Sequence, residues 1–150
     1  MNIEFKSVCK AQIPMSLLLL ADPCEKQIDG YLKNAQCFAA LANNDVIAAC
    51  IVCALDDDTA EIVNIATQPD YQQKGIGSQL LTFTTEQLAA MGFKELVLGT
   101  GTFGYQLNFY QRAGFRVDAV IKDHFLDHYN EAIFENGIQH KDMLRLYKHL

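Results

Sequence analysis

The 150-residue chain lacks an excess of basic residues, an apolar run of membrane-spanning length and an even set of cysteines. Each absence argues against a class of function. Twelve Lys and Arg stand against eighteen Asp and Glu, a net charge of −6. Neutralising nucleic-acid phosphates needs a basic face, so nucleic acid is not the expected partner and a neutral or cationic one is favoured. A bilayer crossing takes about 20 consecutive apolar residues, and no stretch of this sequence approaches that. The first residues lack the basic flank and cleavage site of a secretory signal, so a cytoplasmic location without membrane attachment is expected.

Five cysteines (Cys9, Cys24, Cys37, Cys50 and Cys53) argue against a disulfide framework in such a compartment, and reduced, mostly buried thiols are expected. Cys50 and Cys53 have the spacing of a redox or metal pair. They fall in Val46–Leu55, which has the composition of a strand, and strand residues three apart point to opposite faces. They cannot converge on one ion.

What the sequence has is apolar residues, 50% of the total, enough for one compact domain over 1–150. Asn2–Cys9 alternates as a half-buried strand does. Pro14 opens an apolar helical stretch, and Asp22-Pro23 predicts a second helix through about Lys33, with Asp22 as its cap and Pro23 in its first position. Gln36–Ala42, Val46–Leu55 and Ala60–Thr67 read as strands parted by turns at Asn43-Asn44-Asp45 and Asp56-Asp57-Asp58, hence an antiparallel meander. The acidic triplet reads as a solvated turn. After Pro69 the period becomes helical from Gly75 to Met91, closed by Gly92. Lys94–Gly99 follows as a strand, Tyr105–Arg112 as a helix stopped at Gly114, and Phe115–Ile121 as a strand. A helix over His124–Glu135 and a strand over Asp142–Lys148 complete the pattern. A meander followed by alternating strands and helices predicts an α/β (α+β) protein, one mixed sheet covered by helices.

Gln72-Gln73-Lys74-Gly75-Ile76-Gly77 lies between a strand and a long amphipathic helix. A helix start offers unpaired N–H groups and the positive end of the helix dipole, and glycines let an anion approach that backbone. Spacing narrows the ligand. In a Walker A loop the Lys follows the second glycine and precedes Ser or Thr, whereas Lys74 precedes Gly75. A dinucleotide fingerprint requires a third glycine where Leu80 stands.

The pattern Gln-x-x-Gly-x-Gly after a strand resembles the acetyl-CoA loop of the GNAT superfamily of N-acetyltransferases. The resemblance extends upstream over Ala60-Glu61-Ile62-Val63-Asn64-Ile65-Ala66-Thr67 and downstream over Asn108-Phe109-Tyr110-Gln111-Arg112-Ala113-Gly114-Phe115. The tail, His128–Ile138 and Asp142–Leu146, is similar to a bacterial subgroup whose substrates are poorly defined. The resemblance implies a mainly antiparallel twisted sheet of about seven strands flanked by helices. It also implies acetyl transfer from acetyl-CoA to a primary amine of a small molecule or peptide, by direct attack in a ternary complex. The alternative is a weakly catalytic acetyl-CoA sensor or interaction module.

Residue by residue, it implies that Ile65, Ala66 and Thr67 pair with the pantetheine arm and that the Ile65 N–H faces the thioester carbonyl. Gln72, Gln73, Lys74, Gly75, Ile76, Gly77 and Ser78 would hold the pyrophosphate. Tyr110 would protonate the leaving thiolate. Glu61 would act as general base or else face water at the strand, and Asn64 could instead orient a water. Many members hold the arm with an Asn that Thr100–Gly104 does not contain, leaving Thr102 as the substitute.

On one helix Asp123, Asp127, Glu131 and Glu135 would form an acidic stripe, either solvated or facing a cationic acceptor such as a polyamine, an aminoglycoside or a basic peptide. His124 and His128 have the spacing of a zinc pair but no evident third ligand, so no metal is expected. A homodimer is the expected assembly.

Overall fold

A computed structural model describes residues 2–150. Among the described residues, nine strands and five α-helices occur in the order β1 (Ile3–Val8), α1 (Met15–Leu18), α2 (Glu25–Leu32), β2 (Gln36–Ala42), β3 (Asp45–Ala54), β4 (Thr59–Thr67), α3 (Ile76–Ala90), β5 (Glu95–Gly101), α4 (Tyr105–Arg112), β6 (Arg116–Ile121), α5 (His124–His128), β7 (Phe134–Glu135), β8 (Ile138–Gln139) and β9 (Met143–His149). Seven of the strands form one sheet in the order β1-β2-β3-β4-β5-β9-β6, and β7-β8 is a separate hairpin. Every neighbouring pair in the large sheet is antiparallel except β4 with β5. The single parallel seam follows from the long α3 crossover between those strands, which returns the chain to the end of the sheet at which β4 began.

The β2-β3 turn follows the expected chemistry, since Asn43 and Asn44 both adopt positive φ, 51° and 67°, as a two-residue hairpin turn requires. Each sheet face has its own core. Phe38, Ala40, Ala48, Cys50, Val52, Ile62 and Leu98 pack under α3 and α4 with Leu80, Leu88 and Tyr110. Cys37, Ala49, Ile51 and Ala66 pack on the other face under Leu17, Leu18 and Ile28 of α1 and α2. Cys50 therefore lies on the α3 face. The Cys53 thiol points to the opposite side, where it meets the Tyr31 carbonyl. All five cysteines are free thiols, with Cys37 and Cys50 buried, Cys24 and Cys53 half-buried and Cys9 exposed.

Two expectations change. The second helix begins at Glu25 with Cys24 as its cap, rather than at Pro23. Asp22 still receives the Cys24 N–H at 3.0 Å, but its carboxylate is occupied by side chains from distant segments. The helix expected over His124–Glu135 ends at His128, and Tyr129 is extended. Asn136 and Gly137, at φ 54° and 78°, instead turn the chain through the β7-β8 hairpin. This Asn-Gly signal outweighs the helical spacing. The acidic stripe is consequently not a helix face: Glu131 lies beyond the helix, and Glu135 in the hairpin lies 2.9 Å from His140.

Candidate functional site

The site begins with a defect in the sheet. Ile51 pairs with Asn64 and Val52 with Ile62, so Val63 has no partner on β3. Such a bulge bends its strand and increases its twist. β4 and β5 part at this level: their pairing runs from Thr59/Glu95 to Ile62/Leu98 and stops. Beyond it β5 continues to pair with β9 as far as Gly101, while Asn64–Thr67 diverge from β5 and leave a strand edge open.

That edge becomes a cavity wall. Ile65, Ala66 and Thr67 line one side, with Gln72, Gln73, Gly75, Ile76, Gly77 and Ser78 at the start of α3. Tyr105, Gln106, Phe109 and Tyr110 contribute from α4, and Leu20 and Ala21 from the other sheet face. The cavity thus runs from the α3 side through the parted seam towards α1 and α2.

The loop is shaped for an anion. Gln73 and Gly75 take left-handed φ values of 61° and 79°, and the Gln72 side chain closes the turn by donating to the Thr67 carbonyl at 3.0 Å. Gly75 caps α3 without a side-chain hydrogen bond, and the first intrahelical bond is from the Gln79 N–H to the Gly75 carbonyl. The amides of Ile76, Gly77 and Ser78 are therefore free of helical partners. A methyl group on Gly77 would sit 3.6 Å from the Thr67 hydroxyl and 3.7 Å from the Phe109 ring, which is ordinary contact. Folding does not demand glycine there, and its absent side chain leaves the backbone open to the cavity.

Tyr110 is 4% exposed and packs edge-on against Phe109 and Phe115. Burial, and secondarily the neighbouring Cys50, raises its pKa far above the usual phenol value. It holds its proton at neutral pH and lines the cavity.

Three anticipated residues lie off this wall. Lys74 is exposed near the mouth, its ammonium 5.7 Å from the centre of the Tyr71 ring. Thr102 is exposed in the β5-α4 loop, where Phe103 stacks at 4.2 Å on His140. Glu61, on β4, is paired at 3.4 Å with Arg145 of β9, the two side chains 25% and 28% exposed. Gly99 pairs with Arg145 and Val97 with Glu61, so the ion pair reaches over β5 at the root of the seam. Leu20, Ala21, Tyr71, Tyr105, Gln106 and Phe109 line the cavity without having been anticipated. Phe109 and Tyr105 are one turn apart on the helix that bears Tyr110, a spacing that could have marked them.

The acetyltransferase (GNAT) domain model matches residues 33–117. The chain is 43% identical over 132 residues to the Bacillus subtilis protein described as the uncharacterised N-acetyltransferase YvbK, a match covering 87% of this chain and 85% of the other. It superposes with a TM-score of 0.94 on a GNAT family acetyltransferase from Elizabethkingia anophelis with acetyl-CoA bound, at 40% identity and 99% of each chain. A Bacillus subtilis acetyltransferase in complex with CoA gives a TM-score of 0.88 at 40% identity, over 99% of this chain and 98% of that one.

Proposed function

Because the chain belongs to the GNAT acetyltransferase family, we propose that its cavity serves transfer of an acetyl group from acetyl-CoA to a primary amine of a small molecule or peptide, by direct attack within one ternary complex. As a member it is an acetyl-CoA-dependent N-acetyltransferase. The observation that carries the site assignment is the parting of β4 from β5 at Val63, with the free amides of α3 and the side chain of Tyr110 lining the same cavity beside it.

Acetyl-CoA supplies an activated thioester. In this reading the open edge of Ile65, Ala66 and Thr67 pairs with the pantetheine arm as an added strand would, and Thr102 flanks it. The Ile65 N–H donates to the carbonyl oxygen as that oxygen gains charge. The backbone of Gln73, Gly75, Ile76, Gly77 and Ser78 holds the pyrophosphate, with Gln72 bracing the loop and Lys74 adding positive charge at the mouth. Tyr110 gives its proton to the departing sulfur. The incoming amine gives up its own proton to a water held near Asn64, with Glu61, paired to Arg145 off the cavity wall, as the second candidate base. A cytoplasmic location and a homodimer belong to the same reading. β6 is an edge strand with Val117 and Val120 exposed, and sedimentation of the pure protein checks the assembly.

Thiol release from acetyl-CoA across a panel of primary amines tests the activity. Turnover with at least one amine is the expected result. Tight acetyl-CoA binding without turnover on any amine, and with Tyr110→Phe indistinguishable from wild type, would replace the enzyme with a sensor.

A further inference from the structure

The cavity ends against Leu20 and Ala21, and the next residue is the only carboxylate among the buried described residues. Asp22 is 7% exposed. Its Oδ1 accepts from the Cys24 N–H at 3.0 Å and the Tyr129 hydroxyl at 3.3 Å, and its Oδ2 from the Tyr31 hydroxyl at 3.3 Å. All three partners are neutral donors. Among the described residues no ion pair includes Asp22. The chain thus buries a carboxylate that is hydrogen-bonded but has no cation to balance it, an arrangement that folding alone disfavours.

The network continues to the seam. The Asn64 amide donates at 3.0 Å to both the Tyr31 oxygen and the Leu18 carbonyl, and the carbonyl fixes which end of the amide is the donor. The other end, Oδ1, is buried without a partner among the described residues, one residue before Ile65. Gln27 adds a second tie between α2 and the tail, donating to the His128 carbonyl at 2.8 Å. A negative charge and a free acceptor therefore sit together behind the wall at the α1-α2 end of the cavity.

We propose that Asp22, oriented by Tyr31 and Tyr129 and extended to the seam by Asn64, makes this end of the cavity selective for an acceptor that arrives as a protonated aliphatic ammonium. The inference rests on the acetyl-transfer reading and names its substrate class. Asp22 acts through the Leu20-Ala21 wall by its field, so it determines specificity and does not touch the reacting atoms. Asp22 itself is buried, but Leu20 is 52% exposed, so solvent at the wall reduces this field without removing it. It moves cation selection from the acidic stripe, which the fold does not build, to one buried carboxylate. Arylamines, neutral at pH 7, gain nothing from it.

The experiment titrates CoA-loaded protein with two ligands of like shape, 1-hexylamine, which is protonated at pH 7, and 1-hexanol, which is neutral. Wild type is expected to bind the ammonium about tenfold or more tightly, and Asp22→Asn to reduce that preference to below about threefold. Tyr129→Phe removes one hydrogen bond but keeps the charge, so both affinities fall together and the preference stays. Equal affinity of wild type for the two ligands overturns the inference even if Asp22→Asn does not fold. Retention of the preference in Asp22→Asn, or its loss in Tyr129→Phe to the same degree, also overturns it. Failure of wild type to bind CoA would sink the acetyl-transfer reading first and the inference with it, whereas CoA binding without ammonium preference sinks the inference alone.

Discussion

The two faces of the sheet meet at the parted seam and present different kinds of surface to it. On the α3-α4 side the groups are backbone amides at a glycine-shaped helix start and one phenol held in apolar packing. On the α1-α2 side they are side chains tied to one another, Asn64 to Tyr31, Tyr31 to Asp22 and Asp22 to Tyr129. Backbone recognition suits a ligand whose phosphates and arm are the same in every turnover. A side-chain network can be retuned one residue at a time, which suits the acceptor. On the proposed reading, the donor half of this site is made by conformation and the acceptor half by composition.

Three substitutions would break that division if it is wrong. Tyr110→Phe should lower kcat by about 100-fold, the low end of what one proton donor contributes, with the Kd for acetyl-CoA unchanged. Steady-state kinetics beside calorimetry would show it, and a parallel loss of binding would make Tyr110 a packing residue. Gly77→Ala should weaken acetyl-CoA binding by about tenfold, since one methyl intrudes where the backbone meets the ligand, a loss of about 1.4 kcal/mol. Its melting temperature should stay close to wild type, because the added carbon meets only ordinary contacts. Gly75→Ala should behave oppositely on stability. Its φ of 79° costs an L-residue about 1–2 kcal/mol, read as a lower denaturation midpoint.

How far the sequence could be read follows the same division. The meander, the α3 crossover and the glycine start are local patterns, since turn residues, strand alternation and a helix entry lie within a few positions of each other. Ten of the anticipated site residues, Ile65, Ala66, Thr67, Gln72, Gln73, Gly75, Ile76, Gly77, Ser78 and Tyr110, come together on one cavity. The seam itself was not legible from composition, because it depends on the bulge at Val63, a matter of register between strands. The acceptor side was legible least. Tyr129 meets Asp22 across 107 positions and Asn64 meets Leu18 across 46, and no periodicity encodes such pairs. Asp22 itself was misread as a helix cap because capping is what an Asp before Pro does locally. The Asn136-Gly137 turn was there to be seen, but the four-residue recurrence of acids drew the helix too far.

Glu61 stands at the root of the seam, and its substitution should have a smaller effect. Paired with Arg145 and off the cavity wall, it braces β4 to β9. Glu61→Gln should therefore change kcat by less than about threefold, where loss of a general base would cost at least about 100-fold. Stability should fall by less than about 1 kcal/mol, the usual worth of a partly exposed ion pair. A pH-rate profile that loses its acidic limb in Glu61→Gln would restore the residue to the chemistry.

The smallest effect is read in alkali. Burial pushes the Cys50 thiol on the α3 side up to about 12 from a usual 9.0, with a partial offset from Thr84. Burial likewise raises the phenols of Tyr31 and Tyr129 on the other side, assisted by the Asp22 charge. In each case the folded protein keeps a proton that the unfolded chain releases, so the stabilisation is complete below the unfolded pKa and is lost as pH rises. The thiol begins to act near pH 9 and the phenols near pH 10, their unfolded values. The urea midpoint should thus be flat from pH 7 to 8.5 and fall by pH 10. Cys50→Ala should make that fall shallower without moving its onset, because burial also raises the Cys37 and Cys53 thiols, which share the usual value of 9.0. An unchanged slope would mean that Cys37, Cys53 and the buried tyrosines, and not the Cys50 thiol, set the alkaline limit of the fold.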